Sequence, residues 1–284
     1  MAVPRPVVLA SLALGALVVA STPAMLDGFA RSALYPAPAV PVPSPPPAPL
    51  VEVDVVSGGG VLSAWWLPPA ETRSPVVLLL HGNGENLATL AWAGLFDRFA
   101  ALGAGVLAVD YPGYGRSDGS PSESSIAAAT LDAWRELVVR AGAERPRAVV
   151  GWSLGAAAAA QLAAAEPASV DALVLASPWT RLADVAAVHY PAWLVGPLLT
   201  DRYDTLAAAA AVRAPTLVVH GSDDAIIPAE QGRRVAAALA APKRWVEVRG
   251  AGHNDLLGRE ATWRAIAEVL AAARRDGAGS AAVD

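Results

Sequence analysis

The chain has 284 residues, 54% of them apolar, with a net charge of −5 and no cysteine. Lacking cysteine, it has no disulfide, no zinc–thiolate site, no thiol nucleophile and no lipid attached through that residue. Acidic and basic residues are intermixed without a Lys/Arg block, which argues against a nucleic-acid partner.

In chain order, residues Pro6 to Leu26 carry no charge and are flanked by Arg5 and Asp27. The apolar heart, Val7 to Ala20, has the length of a signal-peptide core; a spanning helix needs roughly 20 apolar residues. Residues 1–26 are therefore expected to be a signal peptide, cut near Val18-Val19-Ala20, or an N-terminal anchor that meets the bilayer through residues 7–26. In both cases Arg5 stays inside and the bulk of the chain lies outside the cytoplasm, membrane-anchored or secreted. Residues 27–50 follow as a linker. Eight prolines between Pro36 and Pro49 exclude a helix or a central strand and predict an extended, semi-rigid spacer.

From residue 51 to 273 short apolar runs alternate with helical patterns. Val51–Val56 and Val61–Leu67 read as a hairpin joined by Ser57-Gly58-Gly59-Gly60. Val76–Leu80 is an aliphatic run typical of a strand buried on both faces. Leu87–Leu102 reads as one helix and Gly105–Asp110 as the next strand. Ser120, Pro121 and Glu123 have the spacing of a capping box, which predicts a helix from there to about Arg140. Ala148–Trp152, Ala172–Ala176, Thr216–His220 and Trp245–Val248 complete eight strands. Leu154–Ala165 is a helix, and a closing helix aligns Trp263, Ile266 and Leu270 on one face. The alternation predicts an α/β fold: a mostly parallel eight-stranded sheet, helices on both faces. Residues 177–213, with Pro178, Pro191 and Pro197, form a short helical cap insertion over the C-terminal edge of the sheet, where such folds bind ligands. Residues 274–284 are expected to be a disordered tail.

Gly151-Trp152-Ser153-Leu154-Gly155 follows a strand and opens a helix, the context that a G-x-S-x-G nucleophile turn requires. A serine hydroxyl needs a base. Of the four histidines, His81 and His220 precede glycines at strand ends and His189 lies in the insertion. His253, in the loop Gly250–Asn254 before the last helix, follows the serine in the expected order. The base in turn needs a carboxylate, supplied after strand Thr216–His220 by Asp223 or Asp224. Asp224 has the favoured spacing from Gly221 and Pro228, leaving Asp223 as a turn residue. Oxyanion donors are expected from the backbone N–H of Leu154 and from the loop His81–Asn86, there the N–H of Asn83. Tyr114, in the loop Tyr111–Ser117, and Trp152 are possible substrate contacts. For Tyr114 a structural role is the favoured reading. No metal ligand set and no dinucleotide fingerprint occur, so neither a metal nor an organic cofactor is expected.

Over residues 51–273 the chain resembles the α/β-hydrolase superfamily, in its serine-aminopeptidase-like and monoglyceride-lipase-like branch. It is similar in particular to membrane-tethered hydrolases that include depalmitoylating thioesterases. The segments that carry the likeness are His81–Asn86, Tyr111–Ser117 with Pro121-Ser122-Glu123, Ser177–Thr180 and Asp201–Asp204. The resemblance implies a triad of Ser153, Asp224 and His253, with Asn83 and Leu154 as oxyanion donors. Trp152 in the motif and the absence of N-terminal cysteines depart from the depalmitoylating members.

The expected activity is hydrolysis of an ester or thioester, or of an amide, in a small-molecule or lipid acyl substrate through an acyl-enzyme. The short insertion favours short to medium acyl chains. The alternatives are a non-hydrolytic enzyme of the same fold, such as a perhydrolase or lyase, and a non-catalytic membrane-tethered binding protein.

Overall fold

The computed structural model describes residues 34–143, 145–191 and 199–280, with side chains to 273. The expected signal or anchor segment, residues 1–26, lies outside the described residues. Among those described, no helix is long and apolar enough to cross a membrane.

Eight strands form one sheet: β1 Val51–Ser57, β2 Gly60–Leu67, β3 Val76–Leu80, β4 Gly105–Val109, β5 Arg147–Trp152, β6 Ala172–Ala176, β7 Thr216–Gly221 and β8 Lys243–Val248. Their order is β1-β2-β4-β3-β5-β6-β7-β8. Only β2 runs against its neighbours; β3 to β8 are parallel. Alternate side chains of a strand point to opposite faces. In β3, Val76, Leu78 and Leu80 accordingly join one core layer while Val77 and Leu79 join the other. Both layers are roofed by helices, which explains why β3 is apolar throughout rather than alternating.

The first layer is covered by α3 (Glu123–Ala141), α4 (Leu154–Ala165), α6 (Thr205–Ala211) and α7 (Ala229–Ala238), the second by α1 (Leu87–Trp92), α2 (Leu95–Ala101) and α8 (Glu260–Ser280). Helix α4 is alanine-rich for a reason of space. A Cβ on Gly155 would lie 2.1 Å from the Leu80 carbonyl oxygen. The helix therefore lies almost on the strands, and Ala156 to Ala160 are fully enclosed around it.

Four sequence expectations change. The stretch Leu87–Leu102 is two helices, because Gly94 adopts a left-handed φ of 70° and turns the chain between them. Helix α3 is capped by Ser122, not Ser120, and its box partner is Ser125, not Glu123. Glu123 is drawn elsewhere: its carboxylate accepts the backbone N–H groups of Arg202 (2.7 Å) and Tyr203 (2.9 Å), clamping the insertion to the helix start. The expected tail is helical as far as Ser280. The described part of the proline-rich segment is no free spacer, since Tyr35, Val42 and Pro46 are buried against the domain. The insertion carries α5 (Leu182–His189) and α6, as its expected helical character requires.

Candidate active site

At the C-terminal edge of the parallel strands, connections from four of them converge. The turn from β5 to α4 holds Ser153 at φ 57° and ψ −114°, a strained conformation for a residue with a side chain. Glycines permit the turn: a Cβ on Gly151 would lie 2.1 Å from the Gly155 carbonyl oxygen. The Ser153 N–H donates to the Ala176 carbonyl (2.9 Å), tying the turn to β6. Leu154 is the first residue of α4, so its N–H has no acceptor within the helix.

His253 enters from the loop after β8, and its Nε2 lies 3.0 Å from Ser153 Oγ. Its Nδ1 lies 2.8 Å from Asp224 Oδ2, in the loop after β7. These two loops touch where a Cβ on Gly221 would lie 2.2 Å from the Ala251 carbonyl oxygen, and the Asp223 N–H donates to that same oxygen (2.9 Å). The spacing of His253 and Asp224 is thereby fixed by backbone. Asp224 Oδ1 accepts the N–H groups of Ile226 (3.0 Å) and Ile227 (2.8 Å). Asp223 points away and accepts from the Ser222 hydroxyl (2.6 Å). Burial would raise the Asp224 carboxyl, but hydrogen bonds from His220 and His253, with the Ile227 N–H, hold it well below the usual carboxylate range. An ionised acceptor on Nδ1 leaves His253 Nε2 free to take a proton from Ser153 Oγ.

His220 was not singled out from the sequence as part of this arrangement. It is fully buried, with Nε2 2.8 Å from the Ile227 carbonyl oxygen and 3.3 Å from Asp224 Oδ2. A carbonyl only accepts, so Nε2 carries the proton and directs part of it to Asp224. The one available signal was its position at the end of a strand just before Gly221.

The loop after β3 places Asn83 beside Ser153 and Leu154 around a cavity of about 580 Å³. The Asn83 side chain is held from both ends: Nδ2 donates to the Leu34 carbonyl (2.5 Å), and Oδ1 accepts from the Tyr114 hydroxyl (2.7 Å). Under the loop lies a buried polar layer. Tyr111 donates to the His81 carbonyl (2.9 Å), and the imidazole of His81 packs against both Tyr111 and Tyr114. Burial pushes His81 down to about 4 and Asp110, 3.6 Å away, up to about 7, so it works against the charged form of each. Burial also pushes Glu85 up to about 7.

Trp152 lines the cavity, its ring 5.5 Å from that of His253. Tyr114 does not: it is fully buried under the loop and its hydroxyl is spent on Asn83, a structural role and not the possible substrate contact. The insertion supplies an apolar wall through Leu182, Val185 and Ala186, joined by Ile226 and Ile227. Among the described residues no cluster of three or more His, Asp or Glu is arranged to hold a metal ion.

A family model described as the alpha/beta hydrolase fold matches residues 75–201. The alpha/beta hydrolase domain-containing protein 17B of Xenopus laevis is 31% identical over 204 residues, 70% of this chain and 67% of its own. The chain belongs to the α/β-hydrolase superfamily. Within it, an uncharacterized protein of Mycobacterium tuberculosis is 44% identical over 197 residues, 68% of each chain. The solved structure of an esterase of Pyrococcus furiosus superposes with a TM-score of 0.63 at 20% identity, covering 78% of this chain and 92% of that one. Membership of this superfamily supports a hydrolase.

Proposed function

We propose that the protein is a serine hydrolase that cleaves an ester or thioester of an apolar acyl group. The observation that carries this reading is the unbroken chain Ser153 Oγ, His253 Nε2 (3.0 Å), His253 Nδ1, Asp224 Oδ2 (2.8 Å), opening into one cavity. Ser153 Oγ attacks the acyl carbonyl while His253 takes its proton; the negative charge that develops on the carbonyl oxygen is met by the N–H groups of Asn83 and Leu154. His253 then returns the proton to the leaving alcohol or thiol. Water, activated by the same imidazole, releases the acid. Asp224 stays ionised throughout and stabilises the imidazolium.

The apolar wall of the insertion supports an acyl chain as the buried part of the substrate, and the small insertion supports short to medium chains. The uncharged N-terminal run after Arg5 supports a place on the outer side of a membrane. A fluorophosphonate probe tests the nucleophile: wild type labels and Ser153→Ala does not. Folded wild type that fails to label would overturn the reading. Nitrophenyl esters of increasing length test the acyl preference, which is wrong if turnover is highest on the longest chain.

A further inference from the structure

The segment ahead of the domain contributes residues to the cavity itself. Leu34 and Tyr35 line it, on the side of the loop that carries Asn83. Their place is set by three separate attachments. Asn83 Nδ2 donates to the Leu34 carbonyl (2.5 Å) and Asn86 Nδ2 to the Val40 carbonyl (2.8 Å), fastening the segment to the oxyanion loop. The Tyr35 hydroxyl donates to Asp201 Oδ2 (2.5 Å) and lies 2.9 Å from the Tyr203 hydroxyl, fastening it to the insertion. Val42 packs against the Gly115 turn, where an added Cβ would meet its Cγ2 at 3.0 Å. Tyr35 is only 4% exposed, so the aromatic ring is a fixed part of the wall rather than a mobile flap.

We propose that this segment is a strap that completes the active site, with Leu34 and Tyr35 as specificity-determining residues that limit the size of the substrate. The strap bridges the two elements that face each other across Ser153: the oxyanion loop on one side and the acyl-binding insertion on the other. Its proline content serves this role. Prolines fix φ and keep the backbone extended, so Val40, within the proline run, presents its carbonyl to Asn86 without a helix or sheet to hold it. Shortening a wall side chain opens room next to the reacting carbonyl, and one methylene in such a pocket is worth a factor of about 10 or more in selectivity.

The inference rests on Ser153 as the nucleophile, and its test keeps the two apart. In the full-length protein, kcat/KM is measured for nitrophenyl butyrate and nitrophenyl decanoate in wild type, Leu34→Ala, Tyr35→Ala and Tyr35→Phe. A ratio within one protein is independent of the folded fraction, so a merely structural role does not move it. The decanoate-to-butyrate ratio rises about tenfold in Leu34→Ala and Tyr35→Ala and stays at the wild-type value in Tyr35→Phe, which keeps the ring. Ratios unchanged in both alanine variants overturn the proposal. Should Tyr35→Ala not fold, Leu34→Ala alone decides. Binding of butanoate and decanoate to Ser153→Ala, followed by tryptophan fluorescence, needs no catalysis. A shift in the same direction on adding Leu34→Ala supports the strap even where ester cleavage fails, and no shift there overturns it.

Discussion

Replacing Asp224 by asparagine changes one atom, and the geometry determines which. Oδ1 accepts two backbone N–H groups, from Ile226 and Ile227. The amide oxygen of Asn stays there, because turning the NH₂ group toward them would set donor against donor twice at short range, whereas the other orientation does so once, against the longer 3.3 Å His220 contact. The NH₂ group therefore replaces Oδ2 and faces His253 Nδ1 at 2.8 Å. It donates to Nδ1, which forces the imidazole proton onto Nε2, the atom 3.0 Å from Ser153 Oγ. The base then has no lone pair where the nucleophile needs one. A wrong tautomer of this kind costs on the order of 10⁴ in kcat, roughly 5.5 kcal/mol. Asp224→Asn is expected to fold, checked by circular dichroism, and to hydrolyse nitrophenyl butyrate about 10⁴-fold more slowly at unchanged KM. Asp223→Asn, whose carboxylate meets only Ser222, keeps wild-type turnover. Asp224→Asn retaining activity within about tenfold of wild type would refute the tautomer argument; loss in Asp223→Asn instead would assign the acid to the wrong residue.

Three further outcomes follow from the same geometry. Gly155→Ala drives a Cβ to 2.1 Å from a backbone oxygen that cannot move without β3, so urea denaturation should show a loss on the order of 1–3 kcal/mol or more. His220→Phe removes a donor to the charged Asp224 and should lower kcat about tenfold, while His220→Gln, which can still donate, recovers most of it; equal kcat in all three proteins would deny His220 a part in positioning Asp224. The third concerns pH. The folded carboxyl of Asp110 is pushed up to about 7 by burial, whereas an unfolded aspartate titrates near ~3.9. Between these values the folded state holds a proton that the unfolded state lacks, so the contribution to stability is full below ~4 and is lost as pH rises toward 7. Asp110→Asn abolishes that slope: the stability of the variant minus that of wild type should climb between about pH 4 and 7. A difference that is flat across this window would show that Asp110 is ionised in the fold.

Much of this molecule is determined locally and so is legible in the chain itself. The aliphatic runs at Val76–Leu80 and Ala172–Ala176 admit little but buried parallel strands. The G-x-S-x-G glycines specify a turn too tight for side chains, which places Ser153 before any tertiary contact is known. The order of Ser153, Asp224 and His253 along the chain, each after a strand, brings them to one edge of the sheet. What the chain could not announce depends on partners distant in sequence. Glu123 has the spacing of a cap residue, yet it serves Arg202 and Tyr203, some eighty positions on, and the capping box is made by Ser122 and Ser125. Tyr114 sits in a glycine-rich loop that would suit a substrate contact, but its hydroxyl is consumed by Asn83. His220 looks like a strand-end residue until the fold sets it against Asp224. The proline-rich segment reads as a spacer because proline forbids secondary structure; only the packing of Tyr35 against Asp201 and Tyr203 turns it into a wall of the cavity. Local sterics and periodicity write the strands and the turn that carries Ser153, whereas hydrogen bonds between remote segments, which carry no periodic signal, decide what surrounds it.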